Sequence, residues 1–255
     1  ANVSEVFTVN VGEVTGKANV AEPGGPVMAP NVGDGCNDGA AAFTLQCGDS
    51  ADASGAQSTA LGDFAVASGS NSLAIGVSAD SSGAESTAVG RSSDATMTRA
   101  SAFGAGAGAT GANSTSLGAY SDATMTDSTA LGYGAQATGS QSSAFGGSAS
   151  ASATDATAVG QSADATASDA TAVGADSQAT GNDSSAFGNL ANASGGQSLA
   201  IGEFSTASAT DATAVGQSAD ATASDATAVG ADTQATGAQS SAFGTSAIAD
   251  FTDSI

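Results

Sequence analysis

The sequence predicts an all-β fold, a parallel β-roll (β-solenoid) of 14-residue coils, and three observations predict it. First, the tripeptide Ala-(Leu/Ile/Val/Phe)-Gly closes at Gly62 and at every fourteenth residue after it through Gly244. This gives fourteen tandem units over 49–244 without insertion or deletion, with Ser116 in place of Ala in one of them. Second, number each unit 1 to 14 with the Gly last: small residues then alternate at 3-5-7 and again at 10-12-14. That is the period of two of a strand, and the helical period near 3.6 is absent. Third, position 13 is apolar in every unit.

The elements follow in chain order. Residues 1–43 form an N-terminal arm or cap that carries Pro23, Pro26 and Pro30 and opens on an alternating stretch, Val6 to Gly12, that reads as a strand. The repeat register then reaches back over Thr44–Gly48, so the roll is expected over 44–255, with partial coils at both ends. Within each unit the parity of the small residues flips between 7 and 10 and between 14 and 3. Two five-residue strands joined by two-residue turns at 8–9 and 1–2 are predicted. A 14-residue coil is flat, so the small residues point inward. Where position 7 is Gly, position 10 is Ser (Gly55/Ser58, Gly139/Ser142); where it is Ala, position 10 is Ala (Ala153/Ala156, Ala209/Ala212). Residues that trade volume in this way share a corner. Met97 and Met125, with Gly at position 7 in the units before and after, are expected to fill the space those glycines leave. Residues 152–176 and 208–232 are identical, a duplicated block four units apart.

Composition narrows the function. The 255 residues carry 25 acids against three cations, no His and no Trp, for a net charge of -22. Most acid–base and nucleophilic constellations need His or Lys, so an enzyme is not expected. Three cations cannot supply nucleic-acid affinity, and the same deficit disfavours contact with an anionic membrane. No apolar run approaches the ~20 residues that span a bilayer.

The position 13 residues are Leu61, Ile75, Val89, Phe103, Leu117, Leu131, Phe145, Val159, Val173, Phe187, Ile201, Val215, Val229 and Phe243. Stacked at ~4.8 Å per coil they form a stripe roughly 65 Å long. Its burial would contribute on the order of 20 kcal/mol per chain, gross. Such a stripe marks an interface between copies of the chain, best buried around a cyclic axis parallel to the rod.

Units such as Asn71-Ser-Leu-Ala-Ile-Gly76 and Gln197-Ser-Leu-Ala-Ile-Gly202 resemble the head repeats of trimeric autotransporter adhesins, the YadA-like heads. The resemblance covers 49–244. It implies a left-handed roll, three chains around one axis, an extracellular place on a bacterial surface, and adhesion to ligands that differ between family members. Two features depart from the family pattern: these residues show no neck, heptad stalk or anchor barrel, and residues 1–43 precede the repeat.

Cys36 and Cys47 are the only cysteines. A disulfide tying the cap to the first coil is expected, the alternative being free or interchain thiols near the axis. Asp155, Asp169 and Asp183 occupy position 9 of successive coils, and Asp211 and Asp225 repeat the arrangement. Like charges about 5 Å apart repel, so either diffuse counterions or ordered Ca²⁺ would relieve them. No other cofactor is expected. Glu85 and Arg99, at position 9 of adjacent coils, are expected to pair. The hydroxyl ladder at position 6, from Ser54 to Thr236, raises a minor ice-binding reading, which the irregular position 4 beside it weakens.

Two larger readings compete. The chain starts at Ala1 without Met or signal segment, as a mature secreted product or an excised fragment would. The leading expectation is a non-enzymatic, self-assembling extracellular fibre subunit. In it Thr8-Val9-Asn10-Val11-Gly12, which matches positions 10 to 14, completes the interrupted last coil of the adjacent subunit by strand exchange. The alternative is the head of an anchored trimeric adhesin.

Overall fold

The computed structural model describes residues 36–37, 39 and 41–255. Its chain winds into a solenoid with two parallel sheets back to back. One sheet has 16 strands and the other 12. Every coil gives three residues, positions 11–13, to the larger sheet, as in Thr59–Leu61 and Leu73–Ile75. From Asp94–Ala95 onward each coil gives positions 4–5 to the smaller sheet. Isolated bridges Asp52↔Val66↔Asp80↔Asp94 carry that ladder back to the first unit. Each strand of the repeat pairs in parallel with its equivalent fourteen residues on, as Ala60 with Ala74 and Ala137 with Ala151.

The strands are shorter than the five residues expected, because the corners use the rest of each unit. The N–H of position 3 donates to the carbonyl of the preceding position 14 (Ala65 to Gly62, 3.1 Å), and that of position 10 to position 7 (Ser58 to Gly55, 3.2 Å). Both are four-residue turns with a positive φ at their third residue, the type II signature. Positions 2 and 9 supply it in coil after coil: Phe64 at 59°, Asn71 at 57°, Ser78 at 56°, Glu85 at 59°. L-residues pay for this left-handed conformation with roughly 1 kcal/mol each. The same corner residues recover a coil-to-coil bond, Phe64 N to Asp49 O and Asn71 N to Ala56 O, both at 2.8 Å. Main-chain hydrogen bonding therefore continues along the stack through the corners as well as the sheets.

The interior is a stack of alanines. Position 12 is fully buried from Ala60 to Ala228, as are the position 5 residues Ala53, Ala67, Ala95 and Ala109. Two polar insertions are satisfied in pairs: Ser81 Oγ lies 2.6 Å from Ser86 Oγ, and Ser116 Oγ 2.6 Å from Ser121 Oγ. The position 10 hydroxyls of Ser86, Ser114, Ser128, Ser142 and Ser198 donate to the carbonyl of position 7, Ser142 to Gly139 at 2.7 Å, whereas those of Ser58, Ser72, Ser184 and Ser240 are buried without a partner among the described residues. This is the shared corner that the Gly/Ser pairing predicts. Met97 and Met125 are a correction. Each is 50% exposed, so the thioethers project from the corner and do not fill the coil. The glycine at position 7 of the coil between them is itself closely approached: a Cβ on Gly111 would lie 2.0 Å from the carbonyl oxygen of Met125 in the next coil.

At the N-terminal end β1 (Cys36–Asn37) pairs antiparallel with β2 (Leu45–Cys47), which in turn pairs in parallel with β3 (Thr59–Leu61). A disulfide joins Cys36 to Cys47. The coil register extends further back than Thr44. Phe43 holds the left-handed corner at φ 60°, and Gln57 N donates to Ala42 O at 2.9 Å. The proposed exchange strand Thr8–Gly12 and most of the arm lie outside the described residues.

Candidate functional site

In each strand of the larger sheet from Thr59–Leu61 onward the central residue is buried, while positions 11 and 13 stand on the outer face. Strand register decides whether the position 13 residues meet. They do: Leu61 pairs with Ile75, Ile75 with Val89, Val89 with Phe103, and so on to Val229 with Phe243. A slip of one residue would have turned the whole row inward. Phe145, Val159, Val173 and Phe187 are consecutive members. Leu117 and Leu131 join the upstream part, and Ile201 and Val215 the downstream part. None of the fourteen is buried in the single chain, and Phe103, Leu117, Leu131, Phe187, Ile201 and Phe243 each expose more than a third of their surface. The result is one unbroken apolar row along the rod.

Position 11 belongs to this face too, and the sequence reading passed over it. It is Ser in all four Phe coils (Ser101/Phe103, Ser143/Phe145, Ser185/Phe187, Ser241/Phe243) and Thr wherever position 13 is Val or Leu. Leu stands there only in the two Ile coils, as Leu73 and Leu199. The signal was available in the repeat as a pairing of residues two apart. Alternate residues of a strand share a face, so a Phe gains room from a small neighbour. Solvent imposes no such matching, whereas close packing against another surface does.

The opposite face presents positions 4 and 6. Here Asp80 and Asp94 are paired across adjacent coils, and Asp122 leans over Gly108, which carries no side chain. Burial, then the negative charges of Asp80 and Asp122, push the Asp94 carboxyl above its ordinary range, and burial does the same to Asp122. A carboxyl with a raised folded-state pKa favours folding most when protonated, and that contribution disappears as the pH rises through the raised value. Asp94→Asn is therefore expected to raise the melting temperature at neutral pH. The gain should vanish below the ordinary carboxylate pKa of about 3.9, and an equal gain at both pH values would refute this origin.

Asp155, Asp169, Asp183, Asp211 and Asp225 all hold left-handed corners, with φ of 56–59°. Asp enters that region more easily than most side chains, which gives position 9 a conformational reason for carboxylates. Among the described residues no three acids, cysteines or histidines converge into a group that could hold a metal ion. Where coils do communicate through position 9, an amide does it: Asn113 Nδ2 donates to Asp127 Oδ1 at 2.9 Å. Glu85 and Arg99 sit on adjacent corners but form no ion pair within 4.0 Å.

The geometry thus lays one continuous apolar row along one face and puts acids and hydroxyls on the opposite face and at position 9. The family model for the YadA head domain repeat (2 copies) matches this chain over 48–93, 95–121, 123–191, 193–219 and 221–255. Among solved structures, the collagen-binding domain of the Yersinia adhesin YadA is similar at 22% identity, with a TM-score of 0.27. That likeness covers 68% of this chain, which spans 65% of the length of the Yersinia one. Among curated proteins none matches. The matched repeats run through nearly the whole solenoid, and the chain belongs to the family of YadA-like head-repeat proteins.

Proposed function

We propose that this chain is the adhesive head of a trimeric autotransporter adhesin, displayed on a bacterial surface and acting without catalysis. One observation carries the reading: the apolar row at position 13 runs in register through all fourteen coils and is left uncovered by its own chain. A core of alanines buries little area per residue, so a lone roll gains little from folding. Three copies facing one axis would cover the three rows together and leave the acid- and hydroxyl-bearing faces outward. The membership in the head-repeat family supports this arrangement. It also favours an adhesin head over a self-assembling fibre subunit, whose end-to-end contact rests on Thr8–Gly12, outside the described residues. With a net charge of -22, the outward surface suits neither nucleic acid nor an anionic membrane. Among the described residues no helix is long and apolar enough to cross a membrane.

Sedimentation equilibrium tests the proposal. The purified chain should sediment at three times its 23.6 kDa mass, independent of loading concentration. Displayed on a non-adherent bacterium, it should increase attachment to glass or serum-coated plastic. A monomer at every concentration, or trimers that confer no attachment to either surface, would overturn the reading.

A further inference from the structure

Six large apolar residues stand at the turn formed by positions 1 and 2, and they come in three pairs: Phe64 with Val77, Tyr120 with Tyr133, and Leu190 with Phe204. Every other unit places a small or polar residue there. These side chains are wet in the single chain, with Phe64 57% and Phe204 48% exposed. Phe64, Tyr120, Leu190 and Phe204 also adopt φ of 55–59°, a region that bulky residues seldom enter. Ser78, Ser148 and Asp176 fill the same position elsewhere. Apolar bulk has therefore been placed where conformation and solvent both oppose it. The two tyrosines meet edge to face, with ring centres 5.9 Å apart, and carry their own hydroxyls. The other two pairs offer no polar group.

Position 11 lies at the opposite edge of the same sheet face, and its two exceptional leucines track these two pairs. Leu73 belongs to the coil that Phe64 opens and Val77 follows. Leu199 stands in the same relation to Leu190 and Phe204. Between the tyrosines the equivalent residue is Thr129. The edges are separated by the width of the strand, on the order of 10 Å, yet they change together.

A ring closed around an axis parallel to the rods joins unlike edges: one edge of each chain meets the other edge of the next, level with the same coil. We infer that, in the trimer, Phe64 and Val77 of one protomer seat on Leu73 of the partner subunit, and Leu190 and Phe204 seat on Leu199 of the partner subunit. This rests on the trimeric reading above. The two contacts lie nine coils apart, about 43 Å along the rod. They give the assembly an axial register. The apolar row alone repeats every ~4.8 Å and specifies register weakly against a slip of one coil.

Co-expression of two differently tagged full-length chains, one Phe64→Cys and the other Leu73→Cys, tests the contact by mild oxidation and non-reducing electrophoresis. Covalent heterodimers are expected from this mixture, and equally from Leu190→Cys with Leu199→Cys. Phe64→Cys with Leu199→Cys should give none. Sedimentation of the same samples separates the two levels of the argument. Trimers without heterodimers, or with equal cross-linking in the mismatched mixture, overturn the inference and leave the trimer standing. Monomers overturn the trimeric reading and the inference with it.

Discussion

A Gly174→Ala chain is expected to lose cooperative folding across the middle of the roll. Gly174 closes a coil at φ +139°, where an L-side chain is strained whatever the space. Its Cβ would also lie 2.3 Å from the carbonyl oxygen and 2.5 Å from the carbonyl carbon of Gly188. These are backbone atoms of the next coil, and they cannot step aside alone. Gly188 N donates to Val173 O, and Ala191 N donates to Gly188 O, so a shift of Gly188 breaks both the ladder and the corner turn above. Backbone strain and overpacking together should cost about 4 kcal/mol or more. Solenoid stability is a sum of neighbour terms, so the loss falls at one coil junction and can split the stack into independent halves. Gly147→Ala is the control, since nothing lies within 4 Å of its Cβ and its φ is not positive. Its unfolding free energy should stay within about 0.5 kcal/mol of wild type. Urea unfolding with limited proteolysis distinguishes them, and a wild-type transition for Gly174→Ala would refute the stated role of the closing glycine.

The same close approach explains what was legible in the repeat. Alternation of small residues located both sheets, and its two parity flips located both turns, because a flat coil has an inside too narrow for anything else. Those turns are the corners where Phe64 and Asn71 hold positive φ. The lengths of the strands were less legible, since residues 3, 7, 10 and 14 look like strand yet spend their bonds on corners. Met97 and Met125 misled for a related reason. Apolar character suggests the interior, but the thioethers turn outward at the corner, half exposed. Position 13 announced the candidate interface through its uniform hydrophobicity. Position 11 and the Phe64 and Leu190 corners were readable in the repeat only as coincidences between positions of one coil, and it takes the built face to place them on its two edges.

The apolar row itself offers the second large effect. Replacing Phe145, Val173 and Phe187 together by Asp is expected to disperse the proposed trimer. All three lie on the outer face and none is buried in its own chain, so the substitutions leave the alanine interior untouched. Stacked carboxylates are also compatible with the roll in a solvated place: Asp155, Asp169 and Asp183 already occupy one corner of three successive coils. At a shared axis the situation changes. Each Asp would be withdrawn from water beside the same residue of two other chains, without a cation to pair with, at a cost of several kcal/mol per site. Three such sites exceed half of the roughly 20 kcal/mol that burying the whole row contributes per chain, and that gross figure has still to cover the entropy lost on association. Sedimentation should therefore report the 23.6 kDa monomer or unfolded chain in place of the trimer. Circular dichroism separates those two outcomes: a folded monomer means that the roll stands without its partners, and an unfolded chain means that the axis supplies the stability the alanine core lacks. A variant that remains a folded trimer would show that the chains associate through some other face.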